Sequence, residues 1–332
     1  MSQSIHAPAA SLPVSAALRV APVVAHVVRG GFVEGIHHGS AVVTRPDGTL
    51  ELEIGDASGP IYPRSSSKPL QALAMVRNGL PTDGAKLALA CASHSGEAFH
   101  LEAVKAILSD AGLSETDLQN TPDYPLDDAA RIAHIASGAP KQSITQNCSG
   151  KHASMLATCV ANGWDLATYR SPEHPLQVAI AETVRELTGS EISAVAVDGC
   201  GAPIHAVSLA GLARAFGRIA AATDGPEAKI AQAIRDFPEY LGGTGRDVTT
   251  LIRGVPGAIA KDGAEAVYAV GLADGRGIAL KVADGSSRAR TVLLAAVLRR
   301  LGITEASVME ALEHQPVLGH GEPVGAVVAV GV

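Results

Sequence analysis

Residues 62 to 75 read Tyr62-Pro63-Arg64-Ser65-Ser66-Ser67-Lys68-Pro69-Leu70-Gln71-Ala72-Leu73-Ala74-Met75, a serine three places ahead of a lysine at the mouth of an apolar segment. Leu70, Leu73 and Ala74 fall at helical spacing, and Asn78-Gly79 supplies a stop. Pro69 has no N–H and belongs in a first helical turn, so the spacing predicts a helix start at about Ser65 or Ser66. Ser65 and Lys68 then share one side of a helix N-terminus. The positive helix end and burial both disfavour an ammonium there, which suits the lysine to taking a proton from a serine hydroxyl. Taken alone, the stretch reads as a serine-rich cap beside a solvated lysine. Company elsewhere in the chain is needed to make it a catalytic pair.

On the N-terminal side, Pro22 to Val28, Ser40 to Thr44 and Leu50 to Ile54 are short β-branched runs, with Pro46-Asp47-Gly48 as a hairpin turn. On the other side, Gly84 to Ala90, Ala98 to Ala111, His152 to Ala161, Pro175 to Thr188, Ala206 to Ala222 and Pro226 to Arg235 read as helices. Ala194 to Val197 is one short candidate strand between them. Strands return at Ala266 to Val270, Gly277 to Val282 and Val324 to Val330. A helix over Ser287 to Leu301 interrupts them, with a second at Ser307 to Glu313. Strands at both ends around a helical middle predict a discontinuous α/β architecture. Residues 19–76 and 251–332 would share one antiparallel sheet with flanking helices, 77–250 would form a mainly helical domain, and 1–18 an Ala/Pro/Ser tail.

With 332 residues, 47% of them hydrophobic, the chain can bury a large core and needs no disulfide staples. Cys91, Cys148, Cys159 and Cys200 are irregularly spaced and read as reduced thiols. A net charge of -7 without a basic run argues against nucleic acid as a partner. No apolar run reaches bilayer length, and residues 1–18 lack a basic segment ahead of an apolar one. The expectation is a cytoplasmic protein that does not meet a membrane.

Four further clusters carry possible chemistry. Cys91-Ala92-Ser93-His94-Ser95-Gly96-Glu97 is either a cap for the helix beginning near Ala98 or a second serine able to relay a proton. Gln146-Asn147-Cys148-Ser149-Gly150-Lys151-His152 and Asp198-Gly199-Cys200-Gly201 hold the donor types of a zinc site, but equally describe two buried free thiols. Leu241-Gly242-Gly243-Thr244-Gly245-Arg246-Asp247 could bring backbone amides to an anion or simply cap a helix; it matches no nucleotide fingerprint. Ala260-Lys261-Asp262-Gly263 puts a lysine beside a strand, in the manner of the Lys-Thr-Gly element of serine acyl-transfer enzymes, with Asp262 at the threonine position. Lys281 is the competing lysine and reads as solvent-facing.

As a set, these motifs resemble the asparaginase II family, the L-asparaginases of the Rhizobium etli type. The matching residues are Arg64-Ser65-x-x-Lys68-Pro69-x-Gln71-Ala72-Leu73-Ala74, Cys91-Ala92-Ser93-His94-Ser95, and Asn147-Cys148-Ser149-Gly150-Lys151-His152 with Met155-Leu156. They continue with Asp198-Gly199-Cys200-x-x-Pro203, Gly243-x-Gly245-Arg246, and Lys261-x-Gly263-Ala264 with Tyr268-Ala269. The resemblance spans about residues 25 to 330. It departs in the N-terminal tail, in a shorter segment between the Ser65 helix and Ser93, and in ending straight after the final strand.

The resemblance implies a fold similar to serine β-lactamases and glutaminases and hydrolysis of L-asparagine to aspartate and ammonia. By position it makes Ser65 the nucleophile, Lys68 its base, and Ser93 with Lys261 a second Ser–Lys pair. Cys148, Lys151 and Cys200 match the family's zinc ligands, and a lysine ligand must be neutral to offer a lone pair. Arg64, Asn147, His152, Asp198, Gly245 and Arg246 fall around the substrate's charged ends or beside the metal. A homodimer is the expected assembly. The same parts would serve a glutaminase or broader amidase; a non-catalytic ligand-binding sensor and a zinc-storage protein are the readings from other classes.

Overall fold

The computed structural model describes residues 16–19 and 21–332, so the expected tail falls largely outside the described residues. The chain's two ends meet in one antiparallel sheet. Strand β1 (Val23–Arg29) turns through Gly30 and Gly31, both at positive φ (54° and 81°), into β2 (Phe32–Thr44). The sequence shows only the last five residues of β2, because its first half is mostly exposed and carries no hydrophobic run. Pairing with β1 extends it. After β3 (Leu50–Ile54) and the short β4 (Pro60–Ile61) come β5 (Ala194–Val197) and β6 (Pro203–Ser208). The last third adds β7 (Ile259–Gly263), β8 (Val267–Gly271), β9 (Gly277–Val282), β10 (Pro316–Gly319) and β11 (Glu322–Ala329). The large sheet runs β10-β11-β1-β2-β9-β8-β7, with β3 also paired to β2, while β4-β6-β5 form a small one.

Strands β7, β8 and β9 are buried along their length except at Lys281, so both faces are covered. The helix Leu209–Ala221 packs on β2, β8 and β9. It lies so close that a Cβ at Gly277 would stand 1.8 Å from the Ala213 carbonyl oxygen, and one at Gly271 2.1 Å from that of Phe216. Only glycine fits under this helix. The helix Ser287–Arg300 packs on β1, β9 and β11. The spacing predicted a helix from Ala206, but Ala206 to Ser208 complete β6, Ala206 paired to β5 and Val207 and Ser208 to β4, and the Ser208 hydroxyl then caps the helix at the Gly211 N–H (3.0 Å).

The serine stretch is a 3₁₀ turn, Arg64–Ser67, running into the α-helix Lys68–Arg77 with Pro69 in its first turn. Lys68 through Met75 are all buried, which is why one apolar face could not be singled out. Strand β7, not foreseen as a strand, sets the turn from the other side. It pairs Lys261 with Ala269 of β8, and its Lys261 carbonyl accepts from Ser66 Oγ at 3.0 Å. A Cβ at Gly263 would meet the Pro63 carbonyl at 2.8 Å, so the sheet edge and the serine turn are in contact.

Candidate active site

Ser65 lines a cavity of about 630 Å³ together with Ser93, Asn147, Gly245, Arg246 and Asp262. Among the described residues its hydroxyl makes no hydrogen bond. Lys68, one turn on and 1% exposed, sends its Nζ to Ser93 Oγ (2.9 Å) and the Ala92 carbonyl (2.5 Å). The expected pairing of Ser93 with Lys261 is therefore not the hydrogen bond present: Ser93 is bonded to Lys68. Lys261 is fully buried, and its Nζ donates to the Asp262 carbonyl (2.7 Å) and to the Asp262 carboxylate. Burial pushes the Lys261 amine down to about 8, against the pull of Asp262. Burial would raise the Asp262 carboxyl, but Lys261, Arg246 and Arg290 hold it well below the usual range.

The loops are locked around this floor. Arg246 reaches Asp262 Oδ2 (2.6 Å) and the Ser93 carbonyl (3.3 Å), joining the Ser93 loop to β7. The Ser93 and Ser95 N–H groups donate to the Leu241 and Gly242 carbonyls at 3.1 and 2.8 Å. The glycine-rich loop thus serves as a wall of the cavity.

A second cluster adjoins through Arg64-Ser65 and Asn147-Cys148. Cys148, Lys151, His152 and Cys200 are all buried. Lys151 Nζ lies 3.2 Å from Cys200 Sγ, and Cys148 Sγ donates to Asn147 Oδ1 at 3.0 Å. Asp198 receives the Arg64 Nε–H at 2.7 Å and has its other oxygen 4.0 Å from Cys200 Sγ. Cys148, then Lys151 and His152, hold the Cys200 thiol well below its ordinary value. Burial opposes the Lys151 ammonium, yet Cys200, Cys148 and Asp198 keep its pKa above the usual lysine value. His152 Nδ1 meets the Tyr169 hydroxyl at 2.6 Å, while its Nε2 is buried without a partner.

Among the described residues no group of three or more His, Cys, Asp or Glu side chains is placed to hold a metal. The expected set differs in kind, since its third donor is an amine. Two buried thiols and that amine are sulfur and nitrogen donors of the types zinc takes, and binding would displace the Lys151 proton. The residues fit the ion.

Lys281, read as solvent-facing, is instead half-buried and donates to the Glu265 and Val282 carbonyls (2.7 and 2.5 Å). Arg290 was missed. It lines the cavity, donates to the Gly263 carbonyl (3.1 Å) and pairs with Asp247 (3.4 Å). In sequence it is one of four arginines in its helix, with Arg288, Arg299 and Arg300, and nothing distinguishes it. Ser95 and Asp127 also line the cavity. The Asp127 N–H donates to the Ser95 carbonyl at 2.8 Å, a long-range bond with no sequence signal.

Comparison with known protein families places the chain among the amidohydrolases, since the family model described as L-asparaginase II matches residues 25–329. The chain belongs to that family. No match was found among curated protein sequences. Among solved structures it is similar to a β-lactamase from Mycobacterium bovis, at 16% identity and TM-score 0.44, over 79% of this chain and 94% of that one. It is also similar to EstCE1, a hydrolase with promiscuous acyltransferase activity (10%, TM-score 0.41, 82% and 93%). A third is Mglu in its native form (14%, TM-score 0.36, 80% and 60%).

Proposed function

We propose that the protein hydrolyses L-asparagine to L-aspartate and ammonia through a serine acyl-enzyme. The observation that carries this reading is the Lys68–Ser93 hydrogen bond at a cavity that Ser65 and Ser93 both line. Ser65 Oγ attacks the side-chain amide carbon, its proton passing to the Lys68 amine, and backbone amides of the Ser65 turn stabilise the oxyanion. The proton moves through Ser93 to the leaving nitrogen, the C–N bond breaks and ammonia departs. Water then attacks the ester carbon, gives its proton back along the same chain, and frees aspartate and Ser65. Lys261, lowered to about 8 by burial, is bonded to Asp262 and would act on this relay through its charge on Lys68. Asn147, Gly245 and Arg246 line the space for the substrate's polar ends.

Cys148, Lys151 and Cys200 would hold Zn²⁺, with His152 and Asp198 beside it. The ion would supply a fixed, redox-inert positive charge for orienting the substrate's α-carboxylate or the loops of Asn147 and Asp198. From the family resemblance we further propose a cytoplasmic homodimer, the assembly being readable by light scattering.

Ammonia release from L-asparagine and L-glutamine tests the reading. Asparagine turnover exceeding that of glutamine by roughly tenfold or more is expected, since one methylene alone discriminates about 10–200-fold. Equal rates on both would make it a broader amidase. Binding without ammonia release would make it a sensor.

A further inference from the structure

His94 sits in the chain between Ser93 and Ser95, which both line the cavity, is fully buried, and takes no part in the chemistry above. Its Nε2 lies 2.8 Å from Ser149 Oγ, and that hydroxyl spends its one proton on the Ile144 carbonyl (2.7 Å). Ser149 therefore accepts from His94, which fixes the proton on Nε2 and leaves Nδ1 bare. Nδ1 is indeed buried without a partner. Burial first, then His100 and Lys68, keep the ring neutral, in agreement with that tautomer.

The His94 backbone N–H donates to the Asn147 carbonyl at 3.1 Å, so this one residue grips the chain on both sides of Cys148. Its neighbours' N–H groups point the other way, to Leu241 and Gly242. The strip 93–95 is thus bonded along both edges. A purely structural position would be filled more stably by an apolar side chain, because a bare buried acceptor costs stability. Such a local violation is expected where a site demands it.

We infer that His94 is a positioning residue: through Ser149 and the Asn147 carbonyl it fixes Ser93 against Lys68 while holding Asn147 on the facing wall. The inference rests on the proposed role of Ser93 as proton relay. It implies that loosening His94 slows the chemical step more than it weakens binding.

The test uses His94→Leu, Ser149→Ala and His94→Gln, the last keeping an N–H donor at the position of Nε2. Misplacement of a reacting group by about 1 Å costs about 100-fold, so His94→Leu is expected to lower kcat on L-asparagine by about that factor with KM little changed. Ser149→Ala should lower kcat in the same direction but less, and His94→Gln should restore most of the rate. Full kcat in both His94→Leu and Ser149→Ala would overturn the inference, as would His94→Gln failing as badly as His94→Leu at equal melting temperature. A crystal structure of Ser149→Ala gives a readout independent of turnover. Ser93 Oγ should leave hydrogen-bonding distance of Lys68 Nζ, and an unmoved Ser93 contradicts the proposal. Wild-type protein inactive on asparagine would defeat the proposed function, while the displacement of Ser93 still decides the role of His94.

Discussion

Lys261 and Lys151 are both buried, yet their surroundings drive them apart. Around Lys261, burial outweighs a carboxylate already shared with Arg246 and Arg290, and the amine falls to about 8. Around Lys151, the two thiols and Asp198 outweigh the same burial and hold the proton on. Burial alone does not set a lysine's role; the charge balance of its partners does. One wall of the molecule therefore suits proton exchange near neutral pH. The other sets an amine against a sulfur, where a metal could take the proton's place.

The sharpest way to break this contrast is at the floor of the cavity. Lys68→Met removes the amine bonded to Ser93 and should cut kcat by about 10³-fold or more, as loss of a general base does. Circular dichroism should show the fold retained, and a loss below about tenfold would mean another group takes the proton. Next, in Cys200→Ser the sulfur beside Lys151 is gone. Because the cluster stands beside the substrate space and not under Ser65, we expect KM to rise several-fold with kcat changed less. Steady-state kinetics with metal content measured in parallel separates the two constants, and a collapse of kcat at unchanged KM would move the thiol cluster into the chemistry.

A subtler effect concerns pH. If Lys261 must lose its proton to work, activity rises as pH climbs through about 8. Asp262 raises the Lys261 pKa, so Asp262→Asn should shift that rising limb to lower pH. A kcat/KM profile on asparagine reads the shift; an unmoved limb assigns it to another group. The smallest expected effect is Lys281→Met, which removes only bonds to two carbonyls away from the reacting serine and should leave kcat within about twofold.

Much of this arrangement was legible beforehand. The Ser65–Lys68 spacing, the β-branched runs at both ends and the glycine stops carry local information, and local rules decode it. The sheet shared by the chain's ends followed from the same pattern. Three things did not. The first half of β2 is held by its partner strand, and β7 by β8 and the serine turn, so neither advertises itself in its own residues. The partner of Ser93 depends on how two loops and a helix converge, and spacing along the chain cannot choose between Lys68 and Lys261. Arg290 reaches the cavity from a helix whose other three arginines look the same in sequence. Motif residues were readable because each sits on a local turn or cap; their partners were not, because those are decided by tertiary packing.

The account stands on Ser65 as the group that takes the acyl chain. Rapid quenching of the enzyme during turnover of L-asparagine, followed by mass spectrometry of its peptides, tests this directly. An aspartyl adduct on the peptide carrying Ser65, absent from Ser65→Ala, is the predicted result; an adduct on Ser93, or undiminished ammonia release by Ser65→Ala, would contradict it.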